Sequence, residues 1–187
     1  MPFRDDQRAD GAEFALVEMA QSNPDGFSQL YECYLPRIYR YLRVRSANDE
    51  VAADLTQQVF LKAFEALPNY RPRGIPFAAW LFRIARNALT DSYRRPRGVV
   101  SIDELAEALE QTGEDSPEAA VLHQEALTRL HALLGGLDSD KRELLELRFA
   151  AQLSSREIAL VVGKSEAAVK KQLTRTIQTL RRQYLEE

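Results

Sequence analysis

The sequence predicts an all-α protein of two small helical domains, a four-helix N-terminal domain and a C-terminal helix-turn-helix domain, joined by an acidic linker. Helical periodicity recurs along nearly all of the 187 residues, and no sustained apolar/polar alternation marks a strand. Turn-forming residues cut that pattern at Asn23-Pro24-Asp25-Gly26, Pro68 to Pro76, Pro96-Arg97-Gly98, Gly113 to Pro117, Gly135-Gly136 and Gly163. Charge is divided as well. Residues 1–95 hold 13 Lys+Arg and 12 Asp+Glu, residues 96–136 hold 2 and 8, and residues 137–187 hold 10 and 8. The net charge of −3 therefore conceals a strongly acidic middle between two slightly basic ends.

These breaks place helices near 11–21, 26–44, 49–67 and 77–95, then near 118–134, 139–151, 155–162 and 166–184. The expected domains are 1–95 and 118–187, with 96–117 as the linker. Pro36 is expected to kink or split the second helix, because proline lacks the N–H that a helix interior uses. Asn48 is the expected cap of the third, DEVAADLTQQVFLKAFEAL. Its apolar residues cover more than half of the wheel, and Leu61 stands in the remaining strip with Asp54, Gln57, Gln58, Lys62 and Glu65. A leucine so placed is either an ordinary exposed apolar residue or the anchor of a protein interface.

The fourth helix, FAAWLFRIARNALTDSYRR, turns Phe77, Leu81, Ile84, Ala85 and Ala88 one way. Arg83, Asn87, Thr90 and Arg94 turn the other way, with Arg86 beside them and Trp80 and Phe82 at the margins. Residues 68–97 contain seven arginines and one acid. The preceding loop, NYRPRGIP, adds Tyr70, Arg71 and Arg73. Arginines beside aromatic rings suit unpaired bases, since bases stack on rings while guanidinium groups hold phosphates. Tyr70 is the expected stacking residue; Trp80 and Phe82 fit a core equally well.

In the C-terminal domain Ser154-Ser155-Arg156-Glu157 matches a capping box, and Ser165 is placed to cap the helix that follows the Gly163 turn. Two short helices across a glycine turn make a helix-turn-helix. On the second, Val169, Leu173, Ile177, Leu180 and Tyr184 share one face, while Lys171, Thr174, Arg175, Gln178 and Arg182 share the other, with Lys170 at its edge. An apolar stripe opposite a basic, hydrogen-bonding one suits a helix in the DNA major groove.

Other functions are argued against. No apolar run reaches the roughly 20 residues of a membrane span, so no membrane insertion is expected. The N-terminal MPFRDDQRADGAEF lacks an apolar signal segment. Cys33 is the only cysteine, which excludes an internal disulfide and fits a cytoplasmic location. His123, His131 and Cys33 lie far apart and make neither a zinc site nor a catalytic set, and no glycine-rich phosphate loop is present. The expectation is no enzyme, no catalytic residue, no metal and no cofactor.

Three motifs in this order resemble bacterial RNA polymerase sigma factors of the extracytoplasmic-function type, over Phe27 to about Tyr184. The stretch from Asp54 through Gln57, Gln58, Phe60 and Lys62 to Ala63 resembles the family's core-polymerase-binding helix. Trp80 to Asn87 resembles its −10 helix, and Ser155 to Ala159 with Val169, Lys170 and Arg175 resembles its −35 helix-turn-helix. The resemblance implies that Asp54, Gln57, Gln58 and Leu61 dock on core RNA polymerase. It implies that Tyr70, Arg71, Arg83, Arg86 and Asn87 engage the −10 element. Arg148, Ser155, Lys170, Lys171, Thr174 and Arg175 would contact −35 promoter DNA. It also admits an anti-sigma factor as a partner, and it gives the acidic linker a place in the polymerase's basic cleft. The sequence departs from the family pattern at Gln58, often Glu, in the two-proline loop, and in Lys170-Lys171-Gln172. A transcriptional regulator that binds duplex operator DNA without polymerase is the alternative, which leaves the arginine-aromatic helix and Leu61 unexplained.

Overall fold

The computed structural model describes residues 6–72, 74–93, 129, 130 and 132–186. The expected linker, 96–117, lies outside the described residues, as do Arg73, Arg94, His123, His131 and most of the helix expected over 118–134. All regular structure among the described residues is helical.

Helix α1 (Asp6–Ser22) meets α2 (Pro24–Arg43) at a sharp corner. Asn23 caps α2 by accepting a hydrogen bond from Asp25 N at 3.0 Å, and Pro24 takes the first position, where a missing N–H is harmless. At Gly26 a Cβ would lie 2.7 Å from the Met19 carbonyl carbon, so only glycine lets the two backbones come this close. Leu30, Tyr34, Ile38, Tyr41 and Leu42 form the buried face of α2. Pro36 lies on its exposed side, and α2 runs through it as one helix rather than being split there. The buried face, packed on both sides of Pro36, outweighs the one hydrogen bond the proline removes.

Helix α3 (Asp49–Ala66) starts at Asn48, whose side chain accepts from Val51 N at 2.9 Å. It buries Ala52, Leu55, Val59, Phe60 and Ala63 and ends in a single 3-10 turn, Leu67–Asn69. Gln21 donates to the carbonyls of Leu67 and Tyr70 at 2.9 and 2.8 Å, which ties α1 to this turn. Helix α4 (Phe77–Tyr93) buries Phe77, Leu81, Phe82 and Leu89, with Ala78, Ala79, Ala85 and Ala88 between them. Phe82 is wholly enclosed, edge-on to Tyr41 at 5.5 Å between centroids, so it is a core residue. Burying each such side chain contributes about 1.5–3 kcal/mol.

In the C-terminal unit α5 (Ser139–Phe149) is capped by Asp138 and buries Leu144, Leu145 and Leu147. Helix α6 (Ser155–Val162) carries the complete capping box: Ser154 N donates to Glu157 at 2.7 Å and Glu157 N donates to Ser154 Oγ at 3.2 Å. Gly163 ends it at φ 70°, a left-handed conformation that costs glycine nothing. Helix α7 (Glu166–Glu186) follows, with Ser165 accepting from Ala168 N at 3.2 Å. Val169, Leu173, Thr176 and Leu180 are its buried residues, whereas Ile177 is 41% exposed. The expected stripe is thus corrected at one position. Thr176 lies one turn from both Leu173 and Leu180, in the middle of the buried arc, and Ile177 falls at its edge. Buried residues of the two units form one contiguous cluster.

Candidate nucleic-acid interface

Lys170, Lys171, Thr174 and Arg175 all stand exposed on α7, on the side away from Val169 and Leu173. Lys170 is paired with Glu166 at 2.6 Å; such an exposed pair contributes little and exchanges readily for a phosphate. Lys171 and Arg175 line a groove with Ala168, Gln172 and Lys141. Ser155 is half-buried at the first position of α6. Arg148 is half-buried too, and donates to the Leu153 carbonyl at 2.9 Å, bracing the turn between α5 and α6. In that turn Gln152 adopts φ 55°, uncommon for a residue with a side chain.

The arginine-aromatic set is brought together differently from the expectation. Asn87 is exposed on α4, and Arg71 is exposed on the loop with its guanidinium on the Pro68 and Tyr70 carbonyls at 2.8 Å. Tyr70 offers no stacking face in this conformation. Its ring is 6% exposed, packed on Phe77 and Trp80 at 5.7 and 4.9 Å, and its hydroxyl donates to the Ile75 carbonyl at 2.8 Å. Burial, and then the nearby Glu13 carboxylate, push its pKa up to about 12. Tyr70 thus holds the chain at Ile75 just ahead of α4, and Trp80, half-buried, is the ring nearer the surface.

Arg83 and Arg86 point into the C-terminal unit. Arg83 donates through Nε and Nη2 to the Leu160 carbonyl at 2.8 and 2.6 Å. Arg86 grips Glu143 of α5 with both nitrogens, Nε to Oε1 at 2.8 Å and Nη2 to Oε2 at 3.1 Å. Arg45 joins the same carboxylate at 3.0 Å and stands 3.4 Å from Glu146, which is 3% exposed. Burial opposes the charge on Glu143, but hydrogen bonds from Arg86 and Arg45 outweigh it and hold its pKa below the usual range. For Glu146 burial wins over Arg45, and Glu143 adds to it, so its pKa is pushed up to about 7.

The polymerase strip is assembled as a surface. Asp54, Gln57, Gln58 and Leu61 are all exposed along α3, Leu61 at 59%. Phe64, one turn beyond Leu61, is 45% exposed and lies edge-on to Phe27 at 5.0 Å. Phe64 follows Leu61 at i+3, a spacing that puts the two side by side on one helix surface.

Residues 30–98 match the Sigma-70 region 2 family and residues 127–180 match Sigma-70, region 4. The ECF RNA polymerase sigma factor BldN of Streptomyces coelicolor is 37% identical over 170 residues, 89% of this chain and 64% of that protein. SigM of Bacillus subtilis, also an ECF RNA polymerase sigma factor, is 31% identical over 83% of this chain and 93% of its own length. The chain belongs to the ECF sigma factors. Sigma factors direct core RNA polymerase to promoter DNA for transcription initiation and are DNA-binding factors rather than catalysts. The fold agrees: CnrH in complex with the cytosolic domain of CnrY aligns at TM-score 0.66 and 30% identity, over 91% of this sigma factor and 95% of that chain. CnrH is an RNA polymerase sigma factor of Cupriavidus metallidurans. Region 2 spans the α3 strip and the α4 arginines, and region 4 spans the α6–α7 helix-turn-helix. No described helix of the sigma factor is long and apolar enough to cross a membrane.

Proposed function

We propose that three separate faces of this sigma factor divide the work of promoter recognition. Asp54, Gln57, Gln58 and Leu61, in the domain of residues 1–95, dock on core RNA polymerase. Arg71, Arg83, Arg86 and Asn87 hold −10 DNA as it opens, with Tyr70 keeping the loop in place. In the domain of residues 118–187, Lys170, Lys171, Thr174 and Arg175 enter the −35 major groove, while Arg148 and Ser155 sit at the adjoining backbone. Residues 96–117 join the two. The factor works in the cytoplasm, makes and breaks no covalent bond, and leaves the chemistry to the polymerase. An anti-sigma protein is a fitting further partner, because the CnrH structure holds the cytosolic domain of CnrY.

The observation that carries this reading is the exposed polar strip of α3 interrupted by Leu61, in one chain with a basic helix-turn-helix. A duplex-only regulator has no use for the strip. Core RNA polymerase supplied with this protein is expected to initiate at discrete sites in a genomic promoter library. Uniform silence, with core polymerase shown active by a second sigma factor, would remove the proposal.

A further inference from the structure

Helix α1 precedes region 2, which begins at residue 30, yet it holds both ends of the loop that leads into α4. Its own place is fixed. Val17 and Ala20 are buried, and the Gly26 corner brings the α2 backbone against Met19. Glu13, Val17 and Gln21 follow at steps of four and so share one side of the helix. Gln21 donates through Nε2 to the carbonyls of Leu67 and Tyr70 at 2.9 and 2.8 Å. The Tyr70 carbonyl also accepts from Arg71 at 2.8 Å, so Gln21 and a residue assigned above to −10 DNA meet on one oxygen.

Glu13 holds the other end. The bond that opens α4 runs from Trp80 N to the Pro76 carbonyl at 3.1 Å, which leaves the preceding amides without an acceptor inside the helix. Gly74, Ile75 and Pro76 carry no side-chain oxygen that could cap them. Glu13 Oε1 accepts from Ala78 N at 3.3 Å, and Ala78 is 1% exposed, so water does not replace this contact. A carboxylate is also the favoured group at this end of the helix dipole. The same oxygen accepts from the hydroxyl of Tyr34, a buried residue of α2. Burial, and then Glu13 itself, push the Tyr34 pKa up, so the phenol keeps the proton it donates.

We infer that Glu13 and Gln21 are positioning residues for promoter reading. Through Tyr70 at one end and Ala78 at the other, α1 sets the loop and the start of α4, and with them the placement of Arg71 and Asn87 on −10 bases. Neither Glu13 nor Gln21 touches DNA. The inference rests on the assignment of Arg71 and Asn87 to the −10 element.

The test is transcription in vitro by core polymerase and the full chain. One promoter library is randomised at −10 with a fixed −35 element, and a second is randomised at −35 with a fixed −10 element. Glu13→Ala and Gln21→Ala are each expected to lower the preference for the best −10 sequence over its single-base variants by about tenfold, the usual worth of one base discrimination, with −35 preference unchanged. Glu13→Gln keeps an acceptor oxygen for Ala78 and Tyr34 and should keep the wild-type preference. Ile38→Val trims the buried core of the same unit without touching either contact. It should lower the thermal midpoint and leave the −10 preference as it is. Hydrogen exchange over residues 77–80 reports the cap without DNA, and should quicken in Glu13→Ala and not in Glu13→Gln. An unchanged −10 preference in either folded alanine variant, where Asn87→Ala has changed it, overturns the inference and leaves the −10 assignment standing. Equal loss of −10 and −35 preference, or the same loss in Ile38→Val, marks a stability effect and overturns it as well. If Arg71→Ala and Asn87→Ala both leave the −10 preference untouched, the assignment itself falls and takes the inference with it. Where Glu13→Ala does not fold, Gln21→Ala decides alone.

Discussion

Leu61 is the residue on which the polymerase contact turns. It stands 59% exposed beside Gln57, Gln58 and Phe64, and it supports nothing in its own domain. Leu61→Asp should therefore leave the thermal midpoint unchanged while weakening binding to core polymerase by about thirtyfold or more, the size of an interface hot spot. Competition against a labelled sigma factor measures this; undiminished competition would take Leu61 out of the interface. The position could be read from the sequence because a helical wheel needs only local spacing. Tyr70 could not. Its ring is covered by Phe77 and Trp80 of α4, and its hydroxyl is held by the Ile75 carbonyl, contacts across a proline-rich stretch that carries no periodic signal. Glu143 was missed for a related reason. Its partners Arg86 and Arg45 lie 57 and 98 residues away, so nothing near it in sequence marks it.

Helix starts and stops were the most legible elements, since each is decided by three or four neighbouring residues. The Ser154–Glu157 box, the Asn48 cap, the Ser165 cap and the left-handed Gly163 all occur where their spacing predicts. The box also orients α6, whose far end receives Arg83 and whose inner face packs Ile158, Ala159 and Val161. Ser154→Ala should destabilise the protein by about 1 kcal/mol, the usual worth of such a cap. Ser154→Asp should recover most of it. Chemical denaturation measures both, and equal loss in the two variants would mean that the site acts through something other than capping. Pro36 shows the limit of the same local reasoning. One missing N–H predicts a kink or a split of α2, and the split does not occur: five large buried residues along a single face keep it one helix. Ile177 and Thr176 exchange places for a similar reason: the buried arc of α7 is set by what packs against it, not by which residue is more apolar.

At the scale of the whole molecule the two units and their helices were legible, while their contact was not, because it is built from charged side chains and helix ends. That contact has its own pH signature. Glu146 of α5 faces Arg45 and Tyr41 from the N-terminal unit and has Glu143 and Arg142 along its own helix, with Arg86 on the far side of Glu143. Its pKa rises from 4.5 to about 7 on folding, chiefly through burial. A carboxyl raised in this way keeps its proton in the folded state after the unfolded chain has lost it. Its contribution is therefore fully present below the unfolded value, declines as pH climbs towards about 7, and is level above that. Glu143 runs oppositely. Its pKa is held below the usual carboxyl range, so its contribution is present above that range and disappears as pH falls through the lowered value. The two windows lie on opposite sides of the ordinary carboxyl range. The difference in stability between Glu146→Gln and wild type isolates the first of them. It should be small at pH 5 and favour the variant at pH 8, because the variant never places a charge beside Glu143. Urea denaturation of both proteins at these two pH values is the measurement. A difference that does not change with pH would show that Glu146 is not held neutral by its burial between the two units.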